Sequence, residues 1–328
     1  MNRLRRLFVL PVLLAQNLFG QTGTVETKSF FSPSLGVSKN FTIYLPDGYD
    51  SSSERYPVVY FLRGHEREWF NPKEDNTRGG VTLATVADSL IASKKIGKMI
   101  LICPGMVSAD EKFAGLGVNM LMPEKATKAG VGTGKFEDYF TKDLIAHIDS
   151  TYRTIGDRQH RGLDGFSLGG YMSLMLALKH PELFCSAGAY DGTHMWYNLD
   201  DPRVLKDKAP NDSTWLTGGM FDPAFGSPRN VEYMKKYDAV NILGNADSAK
   251  LALIRTISFH IQTAAYDGQR GNIDRGNHMV DALKAKGISN DFADIRLDTN
   301  AVHSWFYANE HAAMTLPLHW KAFTPHDK

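Results

Sequence analysis

The chain has 328 residues, 43% apolar and 11% aromatic, enough to bury the core of one large domain or two modest ones. Thirty-seven Lys and Arg against 36 Asp and Glu leave a formal charge of +1, without the basic excess that marks a nucleic-acid footprint. Two cysteines, Cys103 and Cys185, exclude a disulfide-dense scaffold and a thiolate-rich metal site; with apolar neighbours they read as buried thiols rather than as a pair.

Arg3, Arg5 and Arg6 precede an apolar run at 7–15, the order of a secretory signal, and that run is too short to span a bilayer. Residues 1–20 are therefore expected to be a signal peptide and 21–328 a single domain, secreted or periplasmic, with no stable membrane insertion. Residues 39–45 alternate with the period of a half-buried strand, and Pro46-Asp47-Gly48-Tyr49 supplies turn chemistry. Residues 57–62 are continuously apolar, as in a strand covered on both faces, and run into the glycine turn Arg63-Gly64-His65. A helix at 82–93 and a second buried strand at 98–103 follow. The glycine-rich, weakly periodic stretch 105–134 reads as an excursion over the carboxyl edge of the sheet.

A helix is predicted to begin near Phe136, with Tyr139, Phe140, Leu144, Ile145 and Ile148 on one face. Then come a strand at 161–166, a helix at 169–179 and a buried segment at 183–189. Residues 192–250 hold many Asp, Asn, Gly and Pro, with a helix expected only at 229–237. The tail resumes the alternation: strand 258–264, helix 277–286, strand 292–297, loop 298–302 and a terminal helical region. This rhythm predicts an α/β fold whose mostly parallel central sheet is flanked by helices, with long loops inserted over one edge.

Gly165-Phe166-Ser167-Leu168-Gly169-Gly170 lies between a predicted strand and a predicted helix. Small residues two positions either side permit a turn tight enough to present the Ser167 hydroxyl, with the Leu168 N–H facing the same space. The stretch reads as a nucleophile elbow; a Gly/Ser turn serving helix–sheet packing is the plainer alternative. A serine at its ordinary pKa is a poor nucleophile and needs a base and an orienting acid. Of eleven histidines, His303 is best placed, in a loop after the last predicted strand and beyond Ser167 in chain order. His260, His311 and His319, like most of the others, read as exposed groups or single structural hydrogen bonds. Asp267, in the loop after strand 258–264, is the first choice of acid; Asp274 and Asp191 are the alternatives, and each also reads as a cap or turn former. His65-Glu66-Arg67-Glu68-Trp69 is not H-E-x-x-H, so no metal is expected, and no cofactor.

NFTIYLPDGY, YPVVYFLRG, FEDYFTKDLIAHIDSTYRT, RGLDGFSLGGYMSLMLALKHPELF and VHSWFYANE, taken in order, resemble the Putative esterase family of α/β-hydrolases over roughly residues 30–320. That family includes feruloyl and acetyl-xylan-type esterases, S-formylglutathione hydrolases and mycolyltransferase antigens. The resemblance implies the α/β-hydrolase fold, with Ser167 as nucleophile, His303 as base and Asp267 as acid. It also implies oxyanion donors at Leu168 and at Gly64 and His65. The reaction it implies is acyl-enzyme hydrolysis of feruloyl or acetyl esters of plant polysaccharide such as xylan. Members carry His-Gly where this chain has Arg63-Gly64; Arg63 reads as pairing with an Asp or Glu on an adjacent loop, or as a contact to an acidic substrate. His194, Trp196 and Trp305 are further candidates to touch a small-molecule or oligosaccharide ester, although aromatic loop residues pack on their own scaffold at least as often. Transfer to an alcohol would use the same residues. A non-catalytic exported carbohydrate-binding or structural protein is the reading from another class, and the oligomeric state stays open.

Overall fold

The computed structural model describes residues 22–126, 130–192, 219–264, 272–291 and 301–325. The expected signal peptide and the strand at 292–297 lie outside the described residues. Seven strands form one sheet in the order β1-β2-β4-β3-β5-β6-β7. β3 (Val58–Leu62), β4 (Ile100–Pro104), β5 (Arg161–Gly165), β6 (Ser186–Tyr190) and β7 (Ser258–Gln262) run parallel. β1 (Thr24–Ser32) and β2 (Val37–Leu45) pair antiparallel with each other, and β2 joins β4 antiparallel. β1 escapes a sequence reading because most of it is exposed at the sheet's edge, so no apolar alternation develops.

Every residue of β3, β4, β5 and β6 is buried, as a sheet covered on both faces requires. Successive side chains of β3 part to opposite cores. Val58, Tyr60 and Leu62 join one cluster; Val59 and Phe61 join the other. The second core holds α1 (Leu83–Ala92) against α10 (Trp305–Phe323). Thr82 and Thr85 close a capping box at the start of α1. The first core holds α2 (Phe136–Asp138), which passes through a π-helical stretch (Tyr139–Leu144) into α3 (Ile145–Thr151), and α4 (Leu168–Lys179).

Where one helix was expected at 229–237, the chain makes four short ones among residues 222–254. They are α5 (Asp222–Phe225), α6 (Val231–Lys235), α7 (Ala239–Gly244) and α8 (Ser248–Ile254). The Asn and Asp that read as loop composition are helix N-caps. Asn230, Asp238 and Asp247 each accept a backbone N–H of the helix they open. α9 (Asn272–Ala285) starts five residues earlier than expected and takes Asp274 out of its supposed loop. The excursion after β4 is pinned by Lys39, whose buried Nζ donates to the carbonyls of Val107 and Gly130. Cys103 and Cys185 are free and buried. Among the described residues no helix is long and apolar enough to cross a membrane.

Candidate active site

β5 ends at Gly165 and α4 begins at Leu168, leaving two residues to reverse from strand to helix. Ser167 takes the turn at φ 57° and ψ −118°, a backbone conformation that costs about 1–3 kcal/mol for a residue bearing a side chain. The surroundings enforce it. A Cβ on Gly169 would sit 1.8 Å from the Leu62 carbonyl oxygen, and one on Gly192 would sit 1.7 Å from the Ser167 carbonyl oxygen. Leu168 occupies the first turn of α4, where the backbone N–H has no acceptor within the helix and aligns with the positive end of the helix dipole.

His303 Nε2 lies 3.1 Å from Ser167 Oγ, and its Nδ1 lies 3.1 Å from Asp191 Oδ2. Asp191 directly follows β6 and is 1% exposed. Its other oxygen accepts the Ala264 N–H at 2.7 Å, and its own N–H donates to the Gln262 carbonyl. The carboxylate is thus fixed between β6 and the end of β7 before it meets the imidazole. Phe166 stacks obliquely on the His303 ring at 4.6 Å between centroids.

The matching family model, Putative esterase, spans residues 32–279. This chain belongs to that esterase family. It is 30% identical over 192 residues to an endo-1,4-beta-xylanase/feruloyl esterase of Xylanibacter ruminicola, a match covering 56% of this chain and 24% of that protein. It is 26% identical over 165 residues to an esterase of Mycobacterium tuberculosis, covering 50% of this chain and 31% of the other. The chain thus spans only a part of the curated relatives it matches. A solved ferulic acid esterase superposes with a TM-score of 0.69 at 22% identity, over 92% of this chain and 99% of that one. An S-formylglutathione hydrolase from Agrobacterium tumefaciens gives 0.63 at 19% identity, over 94% and 99%. The chain therefore has the α/β-hydrolase fold that the family resemblance implies.

The described residues bear on three expectations about the site. The carboxylate found on His303 Nδ1 is that of Asp191, the alternative at the end of β6; Asp267, the first choice, lies outside the described residues, as do His194 and Trp196. The N–H groups of Gly64 and His65, expected as oxyanion donors, both donate to Glu68 Oε2, at 2.7 and 2.5 Å. That carboxylate sits three and four residues on, within reach of a turn that curls back over itself. Trp305, expected at the substrate, is 6% exposed and packs edge-on against Trp69 and Phe166 at 5.1 and 5.2 Å between centroids, as part of the floor beneath the site. Arg63 faces a carboxylate of its own turn and not of an adjacent loop: its Nε is 3.6 Å from Glu68 Oε1, and its guanidinium lies over the Phe166 and Trp305 rings. Glu68 carried no signal in the sequence, because its role exists only once the turn has closed.

Proposed function

We propose that the chain is a serine hydrolase of carboxylic esters that works through an acyl-enzyme. The observation that carries this is the unbroken line Ser167 Oγ–His303–Asp191 at 3.1 Å per step, on a strained elbow at a helix start. His303 takes the Ser167 proton as the hydroxyl oxygen attacks the ester carbonyl. Asp191 holds the ring in the tautomer that leaves Nε2 free to accept, and steadies the imidazolium that forms. The Leu168 N–H faces the developing oxyanion. His303 then returns the proton to the departing alcohol, and a water activated by the same ring releases the acid. In the resting arrangement Gly64 and His65 are bound to Glu68, so either can serve the oxyanion only after parting from that carboxylate.

For the substrate we propose feruloyl or acetyl esters of plant polysaccharide such as xylan, acted on outside the cytoplasm. The support is the likeness to the xylanase/feruloyl esterase and the leader-like composition of the first residues. The test is a panel of methyl ferulate, acetylated xylan and short-chain nitrophenyl esters, with wild type beside Ser167→Ala. Turnover by wild type and its loss in the variant support the reading. Equal rates for the two proteins, or no turnover of any ester together with failure of Ser167 to react with a fluorophosphonate, reject it.

A further inference from the structure

A second polar assembly lies wholly inside the protein, behind the elbow. Asp164, on β5 three residues before Ser167, is 0% exposed. Its carboxylate takes the N–H of Gly165 at 2.7 Å, His311 Nε2 at 3.0 Å, the Thr315 hydroxyl at 2.6 Å and His319 Nε2 at 3.2 Å. Three of these partners sit at four-residue intervals along α10, so they form one stripe on a single helix face. α10 begins two residues after His303.

The assembly extends across the sheet. His311 Nδ1 meets Gln262 Oε1 on β7 at 3.1 Å, and His319 Nδ1 meets the Ser186 hydroxyl on β6 at 2.6 Å. Ser186 also contacts His260 Nε2 at 2.8 Å, and His260 Nδ1 lies 2.9 Å from Asp291 Oδ2. The sheet is cut away to admit the carboxylate: a Cβ on Gly188 would come within 2.5 Å of it. Burial alone would push the Asp164 carboxyl up, but the His311 and His319 rings outweigh it and hold the group ionised, far below the usual carboxylate range. Burial lowers His260 to about 4, so that ring is neutral and accepts the Ser186 proton. Ser186 has one proton to give. Given to His260, it leaves the hydroxyl oxygen to face His319 Nδ1, so that ring is held at one nitrogen by Ser186 and at the other by Asp164.

Apolar side chains of the same volume would stabilise such a core as well or better, because desolvating a buried ion pair offsets most of its attraction. What a satisfied polar lattice adds is direction. Each bond specifies the rotation and axial position of α10 against β5, which apolar packing leaves degenerate. We propose that Asp164 is a positioning residue for the Ser167–His303 pair, registering the helix that follows His303 against the strand that carries Ser167. This rests on the serine-hydrolase reading for its kinetic consequence, though not for its geometry.

Thr315→Val tests it, since the change keeps volume and removes one bond to Asp164, while Thr315→Ser keeps the hydroxyl. Rates on a short-chain nitrophenyl ester are divided by the number of serines titrated with a fluorophosphonate. Expected is a kcat lowered about tenfold by Thr315→Val at nearly unchanged KM, and restored by Thr315→Ser, because even a remote change that misplaces the reacting atoms by about 1 Å can cost about a hundredfold. The low-field proton of the His303–Asp191 hydrogen bond, assigned by its absence in His303→Gln, should move in Thr315→Val and return in Thr315→Ser. A lower Tm with both kcat and this resonance unchanged would overturn the proposal and leave the lattice a structural element. If wild type and Ser167→Ala do not differ on any ester, the hydrolase reading fails and the resonance decides by itself: a shift supports registration, no shift overturns it. Should Thr315→Val not fold, Thr315→Ala carries the same comparison.

Discussion

At the scale of single residues, the acid facing His303 is the assignment most open to direct test. Asp191 places one oxygen on His303 Nδ1 and the other on the Ala264 N–H, so replacing it by an amide leaves its volume but offers the ring a donor where it needs an acceptor. Asp191→Asn should therefore lower kcat on a neutral ester by about 10²–10⁴ with KM little changed. Asp267→Asn, assayed beside it, should stay within about tenfold of wild type, a bound well short of the loss expected on removing a triad member. A reversed order of losses would return the role to Asp267. Arg63 and Glu68 make a second test. The guanidinium touches Glu68 and two aromatic rings, and none of these contacts needs substrate. Arg63→Ala should keep kcat on a neutral ester within about tenfold, with a stability loss of about 0.5–3 kcal/mol in urea unfolding. Glu68→Ala should cost about 1–3 kcal/mol, because two N–H groups and a guanidinium lose one acceptor together.

Among the elements, the elbow is held by contacts that leave no room for a side chain. β5 delivers Ser167 and β6 delivers Asp191, and the two meet where Ser167 N–H donates to the Tyr190 carbonyl at 2.8 Å. Gly192 follows at once, and its missing Cβ is what lets the Ser167 backbone pass. Gly192→Ala would force β6 and the elbow apart, since the new methyl would also lie 2.9 Å from Ser167 Cα. The expected outcome is a fall of at least about a hundredfold in the rate at which fluorophosphonate labels Ser167, as for a reacting atom displaced by about 1 Å. Far-UV circular dichroism should remain that of wild type. Retained labelling would show that the turn has slack the packing does not suggest. β2, β3, β4 and α1 were legible because each carries a period or an unbroken apolar run. The short helices of residues 222–254 were not, because a helix of four to seven residues shows less than two turns of pattern and its Asp and Asn caps mimic a loop.

For the molecule as a whole, buried ionisable groups tie stability to pH. Asp238 caps α7 through one oxygen, while its other oxygen is buried without a hydrogen-bond partner; burial pushes its carboxyl up to about 6. The folded state therefore holds this proton more tightly than the unfolded chain, whose carboxyl releases it near 3.9. Below pH ~4 both states are protonated and the group costs nothing; between about 4 and 6 stability falls as pH rises, and above about 6 the full penalty is present. Asp238→Asn keeps the cap and removes the titration. It should be more stable than wild type at pH 7.5 by on the order of 1–3 kcal/mol and gain little at pH 4. Chemical unfolding at the two pH values checks this, and an equal gain at both would remove the ionisation argument.

What the amino-acid sequence determined by itself was whatever depends on neighbours along the chain. The continuous apolar runs specified buried parallel strands, and glycines on both sides of Ser167 specified an elbow. A loop histidine beyond Ser167 in chain order stood out as the candidate base, and it is His303 that lies on the Ser167 hydroxyl. The tertiary structure decided everything that depends on which segments meet. Asp191 and Asp267 read alike as polar residues after a strand, and it took the pairing of β6 with β7 to bring Asp191 onto His303. Gly64 and His65 read as free donors until the turn folded Glu68 back onto them. His260, His311 and His319 looked dispensable one at a time. They matter together because β5, β6, β7 and α10 converge on one buried carboxylate, and a group's burial and partners are properties of the assembled fold rather than of its place in the chain.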